Sequence, residues 1–358
     1  MDIRESTTRY EAWLRSRLRG DLVAKDLKAK HVKMKQSAFV FLRATYWRWA
    51  EIICDVCPDL ADAPEVLSVG DIHVENFGTW RDADGRLVWG INDFDEAAEM
   101  PYVLDLVRLS VSALLARGRK RSDPASVCDA IVEGYRKGLR DPKPFVLDRG
   151  HRQMRELLVV PEGERARFWK QIDGERKAGA RKPGRRYLEA LASAMPKAGM
   201  QMDVWPRTAG TGSLGRPRWV ALADWQGGPV VREARAAVPS AWGRASGRGA
   251  GRISIMKIAR GKYRAPDPWY RLTRDDVIVR RLYPSTRKIE MGRNATALLE
   301  DRMLEAMGRE LASVHLGVSD RSAALLRDMK ARKRGWLVRA AGKAANATRE
   351  EFERWGRG

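Results

Sequence analysis

The sequence predicts an α+β fold with a helical C-terminus, and three observations carry that prediction. Apolar residues recur every three or four positions near the start of the chain and again towards its end, which is the helical period. Two separated stretches, 65–92 and 204–233, carry instead short apolar runs bounded by turn residues, which is the pattern of strands. The 358 residues are 44% hydrophobic with 13 tryptophans, so a chain of this length can bury a large core without disulfide or metal staples.

The elements follow in order. Between 8 and 57, Trp13, Leu14 and Leu18, then Phe39, Leu42, Tyr46, Trp49 and Ile53, keep helical spacing. Val66, Leu67 and Val69 form a short strand that ends at Gly70-Asp71. Residues 77–80 and 87–92 flank Asp82-Ala83-Asp84-Gly85, a turn composition, and predict a hairpin. Helix resumes from Pro101 through Leu104, Val107, Leu109, Val111 and Leu114. Residues 161–200 are dense in Arg and Lys and read as solvated helix with a loop around Pro183-Gly184. Strands return from Val204 to Glu233, with a further one at 280–283. From Asn294 the chain reads as helix, through Leu298, Leu299, Met303, Met307, Leu311 and Val314, with a stop at Gly317.

Lys and Arg number 68 against 46 Asp and Glu, a formal charge of +22 that any functional reading must explain. Such a balance attracts phosphate whatever the sequence, so a nucleic-acid partner is one alternative. No recognised nucleic-acid motif accompanies the charge, however, and runs such as Lys330-Ala331-Arg332-Lys333-Arg334 are the usual solvated faces of helices. Three cysteines make no disulfide framework, and Cys54 and Cys57 have no second pair or nearby His to complete a zinc site. The N-terminus lacks an apolar signal core, and no run approaches the ~18–20 apolar residues of a membrane span. The expectation is a soluble, reduced, cytoplasmic protein with no membrane partner.

Acid is concentrated in one place. Asp71, Glu75, Asp93, Asp95 and Glu96 surround the predicted hairpin. Neighbouring strands lie ~4.8 Å apart, so pairing across the turn brings Asn76 and Asp93 together at the hairpin's open end. One Mg²⁺ could bridge the Asn amide oxygen and the Asp carboxylate there, with Asp95 beside them as a third candidate ligand. Asp71, five residues before Asn76, would look into the same space without being a ligand. Phosphoryl transfer needs this set: one carboxylate to orient or deprotonate a hydroxyl, and an Asn with an Asp to hold metal on the triphosphate. The bland reading, a polar loop whose Asp71 and Asp93 cap helices, explains single residues but not the spacing. His73 reads as a structural neighbour of Asp71, and His315 as a packed or capping histidine.

Gly70-Asp71-Ile72-His73-Val74-Glu75-Asn76 resembles the catalytic loop of aminoglycoside phosphotransferases and choline kinases, and Ile91-Asn92-Asp93-Phe94-Asp95-Glu96 resembles their metal-binding segment. Asp105-Leu106 is similar to the segment that anchors that loop. More closely, the chain resembles a bacterial family named domain of unknown function 2252, thought to be protein-kinase-like. Lys33-Met34, Phe39, Phe41-Leu42-Arg43, Asp105 with Arg108 and Leu109, and residues 312–315 carry that likeness. The resemblance implies that Asp71 is the catalytic base, Asn76 and Asp93 are metal ligands, and Asp105 is an anchor behind the loop. Val69 stands where many phosphotransferases carry His.

Gly210-Thr211-Gly212-Ser213-Leu214-Gly215 matches GxGxxG. A dinucleotide fold needs a helix at this point, but residues 219–222, Trp-Val-Ala-Leu, read as strand. A glycine loop between two strands is the kinase-type phosphate cover, with a plain hairpin turn as the alternative. Gly210, Gly212, Ser213 and Gly215 are therefore candidate nucleotide-binding residues. The resembled family has Lys-Glu-Ala on the next strand; this chain has Arg232-Glu233-Ala234, and Arg is a planar fork, not a compact ammonium. Residues 234–266 contain no acid to partner it, so Arg232 and Lys257 are expected to face the nucleotide without an ion pair.

The catalytic loop precedes the glycine loop, the reverse of ordinary kinases, so the expected fold is a circularly permuted, protein-kinase-like, two-lobe one. Residues 1–200 would form a larger helical lobe, 201–290 a smaller sheet lobe and 291–358 a helical region packing on the larger. The function expected is an ATP- and Mg²⁺-dependent phosphotransferase acting on a small-molecule hydroxyl, with an anionic substrate suited to the Arg-rich exterior. The alternatives are a nucleotide-binding pseudokinase and a basic nucleic-acid-binding protein.

Overall fold

A computed structural model describes residues 1–118, 123–179, 182–248, 251–286 and 297–357. Among the described residues the fold is α+β, with fourteen α-helices, ten strands and a helical C-terminus. The helical opening is four helices: α1 (Ile3–Arg17), α2 (Ala24–Met34), α3 (Ala38–Ala44) and α4 (Tyr46–Val56). Local chemistry sets the breaks. Asp2 caps α1 through Oδ1, which accepts from the Arg4 and Glu5 amides at 2.8 and 2.9 Å, and Ser37 caps α3.

The first strand-rich stretch forms β1 (Glu65–Ser68), β2 (Phe77–Arg81), β3 (Leu87–Ile91) and β4 (Ala98–Pro101). Strands β2 and β3 make the expected hairpin, with Phe77 opposite Ile91 and Arg81 opposite Leu87. Strand β1 pairs antiparallel with β4, so the chain on either side of the hairpin is drawn together. Helices α5 (Tyr102–Arg117) and α6 (Pro124–Arg140) follow, then β5 (Phe145–Val146) on the free edge of β3. The cationic region is α7 (Arg152–Leu158), α8 (Glu162–Ala178) and α9 (Arg185–Ser193).

The second sheet is antiparallel, with β6 (Asp203–Pro206), β7 (Arg218–Trp225), β8 (Gly228–Ala236), β9 (Arg271–Leu272) and β10 (Val277–Leu282) in the order β6-β7-β8-β10-β9. Short helices α10 (Ala241–Ser246) and α11 (Ile255–Ala259) fill the β8–β9 connection. The chain ends in α12 (Asp301–Leu316), α13 (Ser322–Ala331) and α14 (Trp336–Gly356); the expected helix start at Asn294 lies outside the described residues. One apolar cluster runs from Ile3 to Trp355 and includes α5, buried along nearly its whole length, and residues of all three sheets. Among the described residues no helix is long and apolar enough to cross a membrane.

Candidate functional site

The loop after β1 hangs from α5. Asp105, fully buried, accepts the amides of Val69 at 2.7 Å and Gly70 at 3.0 Å. A carboxylate can only accept, so His315 on α12 donates to it from Nε2 at 3.1 Å, and His315 Nδ1 accepts from the Tyr135 hydroxyl of α6 at 2.7 Å. Three helices thus fix two consecutive amides. Gly70 turns the chain with φ +80°, and a Cβ there would run into the Glu96 carbonyl and come within 2.7 Å of the Tyr46 hydroxyl. Only glycine fits. Asp71 is thereby aimed into a cavity, and its Oδ1 takes a 2.5 Å ion pair from Arg108. Arg108 is fully buried, donates also to the Leu42 carbonyl at 2.8 Å, and lies over the rings of Tyr46 and Trp49.

The hairpin delivers Asn76 and Asp93 to the same cavity. Asn76 Nδ2 donates to the backbone carbonyls of Asp93 at 3.0 Å and Asp71 at 3.2 Å, tying the loop to the far strand's exit. Its Oδ1 is buried without a hydrogen-bond partner. An orphaned amide oxygen beside a carboxylate fits a Mg²⁺ ion, which takes one or two protein oxygens and completes its shell with phosphate and water. Among the described residues no group of three or more His, Cys, Asp or Glu is arranged to hold a metal, and the Asp93 carboxylate lies 3.7 Å from Arg235. Asp95 differs from expectation. Arg235 and Arg216 both bind it, the latter at 3.1 Å, which leaves it a counter-ion of arginines rather than an open oxygen donor. Burial raises its carboxyl above the ordinary value and Arg235 pulls it back. Neighbouring Glu96 takes Arg216 at 2.8 Å and the Ala241 amide at 2.7 Å. His73 is buried and lines the cavity.

The glycine loop closes the other side. It joins β6 to β7, two adjacent antiparallel strands, as expected. Gly210, Gly212 and Ser213 line the cavity; Gly215 does not, and packs on Leu27. At Gly212 a Cβ would stand 3.1 Å from Asp71 Oδ2 and 3.1 Å from the Arg43 carbonyl. The two motifs are 141 positions apart in sequence (212 − 71) and neighbours in space.

The cavity they enclose measures about 300 Å³. Its cations are not the expected ones. Arg232 lies on the other face of β8, where its Nε donates to the Ala194 carbonyl at 2.9 Å and its guanidinium stacks 4.3 Å from the Trp269 ring. Successive strand residues alternate faces, so Glu233 and Arg235 turn towards the cavity and Arg232 away. Lys257 is exposed on α11 and also lies outside the cavity lining. Arg207, Arg216, Arg218, Arg235 and Arg280 take their place. Glu233 organises three of them: Arg218 binds its carboxylate, Arg280 Nε lies at 2.8 Å and Arg207 at 3.7 Å. Burial alone would raise Glu233, but these arginines hold it well below the usual carboxylate range. Burial in turn lowers Arg218 to about 10. The missed residues had one legible signal, the Arg-x-Arg directly after the glycine loop. Arg108 was marked only by the family likeness, which did not give its partner, because that partner is fixed by how α5 packs.

A family model matches residues 22–195 and 200–357, nearly the whole chain. The chain belongs to the DUF2252 family. That family is described as an uncharacterized protein conserved in bacteria. No curated protein and no solved structure matches it. In this DUF2252 chain the matched spans take in Asp71, Asn76, Asp93, the glycine loop and the arginine wall, while Tyr10 of α1, which also lines the cavity, precedes them.

Proposed function

We propose that this protein is an ATP- and Mg²⁺-dependent phosphotransferase of kinase-like fold, acting on the hydroxyl of a small molecule. The observation that carries the reading is the placement of Gly212 next to Asp71 in a cavity that is also lined by Asn76, Asp93 and a wall of arginines. In the proposed reaction Asp71 orients the attacking hydroxyl and takes its proton on Oδ2, since Arg108 occupies Oδ1. Asn76 Oδ1 and Asp93 would hold Mg²⁺, which supplies charge neutralisation to the phosphates. Arg216, Arg218, Arg235 and Arg280 supply fixed donors for phosphate oxygens. The reading carries a permuted two-lobe arrangement, with the 201–290 sheet and its glycine loop as the smaller lobe over the catalytic loop and hairpin. The antiparallel sheet with a glycine loop between neighbouring strands supports it.

A nucleotide-binding pseudokinase is the second reading, and the ion pairs favour it. Asp71 is tied through one oxygen to a fully buried arginine and Asp95 to two more, which leaves fewer carboxylate oxygens open to a substrate or a metal. Two measurements on the full chain decide: ATP binding with Mg²⁺, and ATP consumption by the parent and Asp71→Ala. Binding and consumption in the parent, with consumption lost in the variant, supports the phosphotransferase. Binding without consumption selects the pseudokinase. No binding overturns both.

A further inference from the structure

Helix α2 runs beneath the glycine loop and meets it at four points. The Val23 amide, just ahead of the helix, donates to the Gly215 carbonyl at 3.0 Å. Thr208 Oγ1 donates to Asp26 Oδ1 at 2.9 Å. The Leu27 side chain lies where a Cβ on Gly215 would stand. Lys30 Nζ donates to the Gly212 carbonyl at 2.8 Å. Positions 23, 26, 27 and 30 stand at i, i+3, i+4 and i+7, which is one helix face, and together they hold the loop at residues 208, 212 and 215.

Lys30 is the unusual member of the set. It is 1% exposed, its ammonium lies 4.6 Å from the Trp47 ring and 5.5 Å from the Tyr10 ring, and its hydrogen bond goes to a neutral carbonyl. Burial lowers it to about 7, with Arg216 adding to the fall and Glu96, Asp71 and Glu11 opposing it. A methionine of the same reach would fill this aromatic slot without a buried charge, so packing does not account for a lysine here. The Gly212 contact does. Gly212 is the loop residue that lies next to Asp71.

We propose that α2 is the seat of the glycine loop, and that Lys30 is a positioning residue that holds Gly212 down beside Asp71 so that the loop backbone is set for nucleotide phosphates. The nucleotide consequence rests on the phosphotransferase reading; the seating of the loop does not.

The test is hydrogen–deuterium exchange on the ligand-free full chain, following the segment 208–217 in the parent, Lys30→Met and Lys30→Gln, with Mg²⁺-ATP titrated into each afterwards. Losing one charge-assisted hydrogen bond should speed exchange in that segment by about tenfold in Lys30→Met, with α1 and α4 unchanged. Lys30→Gln, which keeps an N–H donor, should recover part of the protection. Nucleotide affinity should fall in the same order. Unchanged exchange at 208–217 overturns the proposal, and so does a uniform rise across the core, which would make Lys30 a packing residue. Should Lys30→Met fail to fold, Thr208→Val removes a separate tie and must speed the same segment; if it does not, α2 is no seat for the loop. A parent that binds no nucleotide defeats the phosphotransferase reading, while the exchange data still decide whether α2 seats the loop.

Discussion

Asp105 offers the sharpest test of how the catalytic loop is held. Its carboxylate accepts from three buried donors: the Val69 amide, the Gly70 amide and His315 Nε2. In Asp105→Ala all three lose their acceptor at once. An unsatisfied buried donor costs about 1–3 kcal/mol, and a water entering the vacated space offsets part of that. The expected loss is therefore about 3–5 kcal/mol, with the Tyr135–His315 pair losing its orientation as well. Asp105→Asn keeps the shape and one acceptor oxygen but turns an N–H₂ towards another donor, so it should lose about half as much. Urea denaturation of parent and variants, compared at the midpoint with slopes unchanged, gives the number. A loss below about 1 kcal/mol in Asp105→Ala would refute the reasoning, because the loop could not then depend on this carboxylate.

Three further outcomes are expected. Gly70→Ala forces a Cβ into the Glu96 carbonyl at a positive φ, and should cost at least about 2 kcal/mol in thermal or urea unfolding. Glu233→Gln strips the shared counter-ion from the buried Arg218 and from Arg280, and should destabilise by about 3–5 kcal/mol at neutral pH; because Glu233 is held below its ordinary value, the parent should lose this term as pH falls below about 4.5 while the variant does not. Lys30, ordinarily near 10.5 and lowered to about 7, binds fewer protons folded than unfolded across that interval. Its term makes stability rise with pH, by up to about 1.4 kcal/mol per pH unit, and urea midpoints at pH 7 and pH 9 should differ less in Lys30→Met than in the parent.

The parts of this fold that are local were legible in the sequence. The β2–β3 hairpin follows from its turn residues and alternation, and the approach of Asn76 to Asp93 follows from the hairpin. The glycine loop between strands was equally plain. What sequence could not give is the facing of side chains whose partners lie far along the chain. Arg232 and Arg235 are both arginines on one strand, and only the sheet's neighbours decide which meets Asp95 and which meets Ala194. The acid-free segment after Arg232 suggested cations without partners; the structure answers with Glu233 on the same strand, shared by arginines from β7, β10 and the glycine loop. Lys30 is one of several lysines on α2, and nothing in its spacing marks it as buried.

The cavity is assembled from contacts of very long range, and this bears on how the protein acquires its site. Lys30 meets Gly212 across 182 residues, Asp95 meets Arg235 across 140 and Glu96 meets Arg216 across 120. Each such contact closes a large loop of chain before it returns any energy. Helices and the β2–β3 hairpin can form early, from neighbours, but the arginine wall and the seated glycine loop must wait for the second sheet to dock. A refolding chain should therefore regain helical signal well before it regains a closed cavity. During that interval arginines and carboxylates destined for burial stay hydrated, and the last step of folding is the one that strips their water.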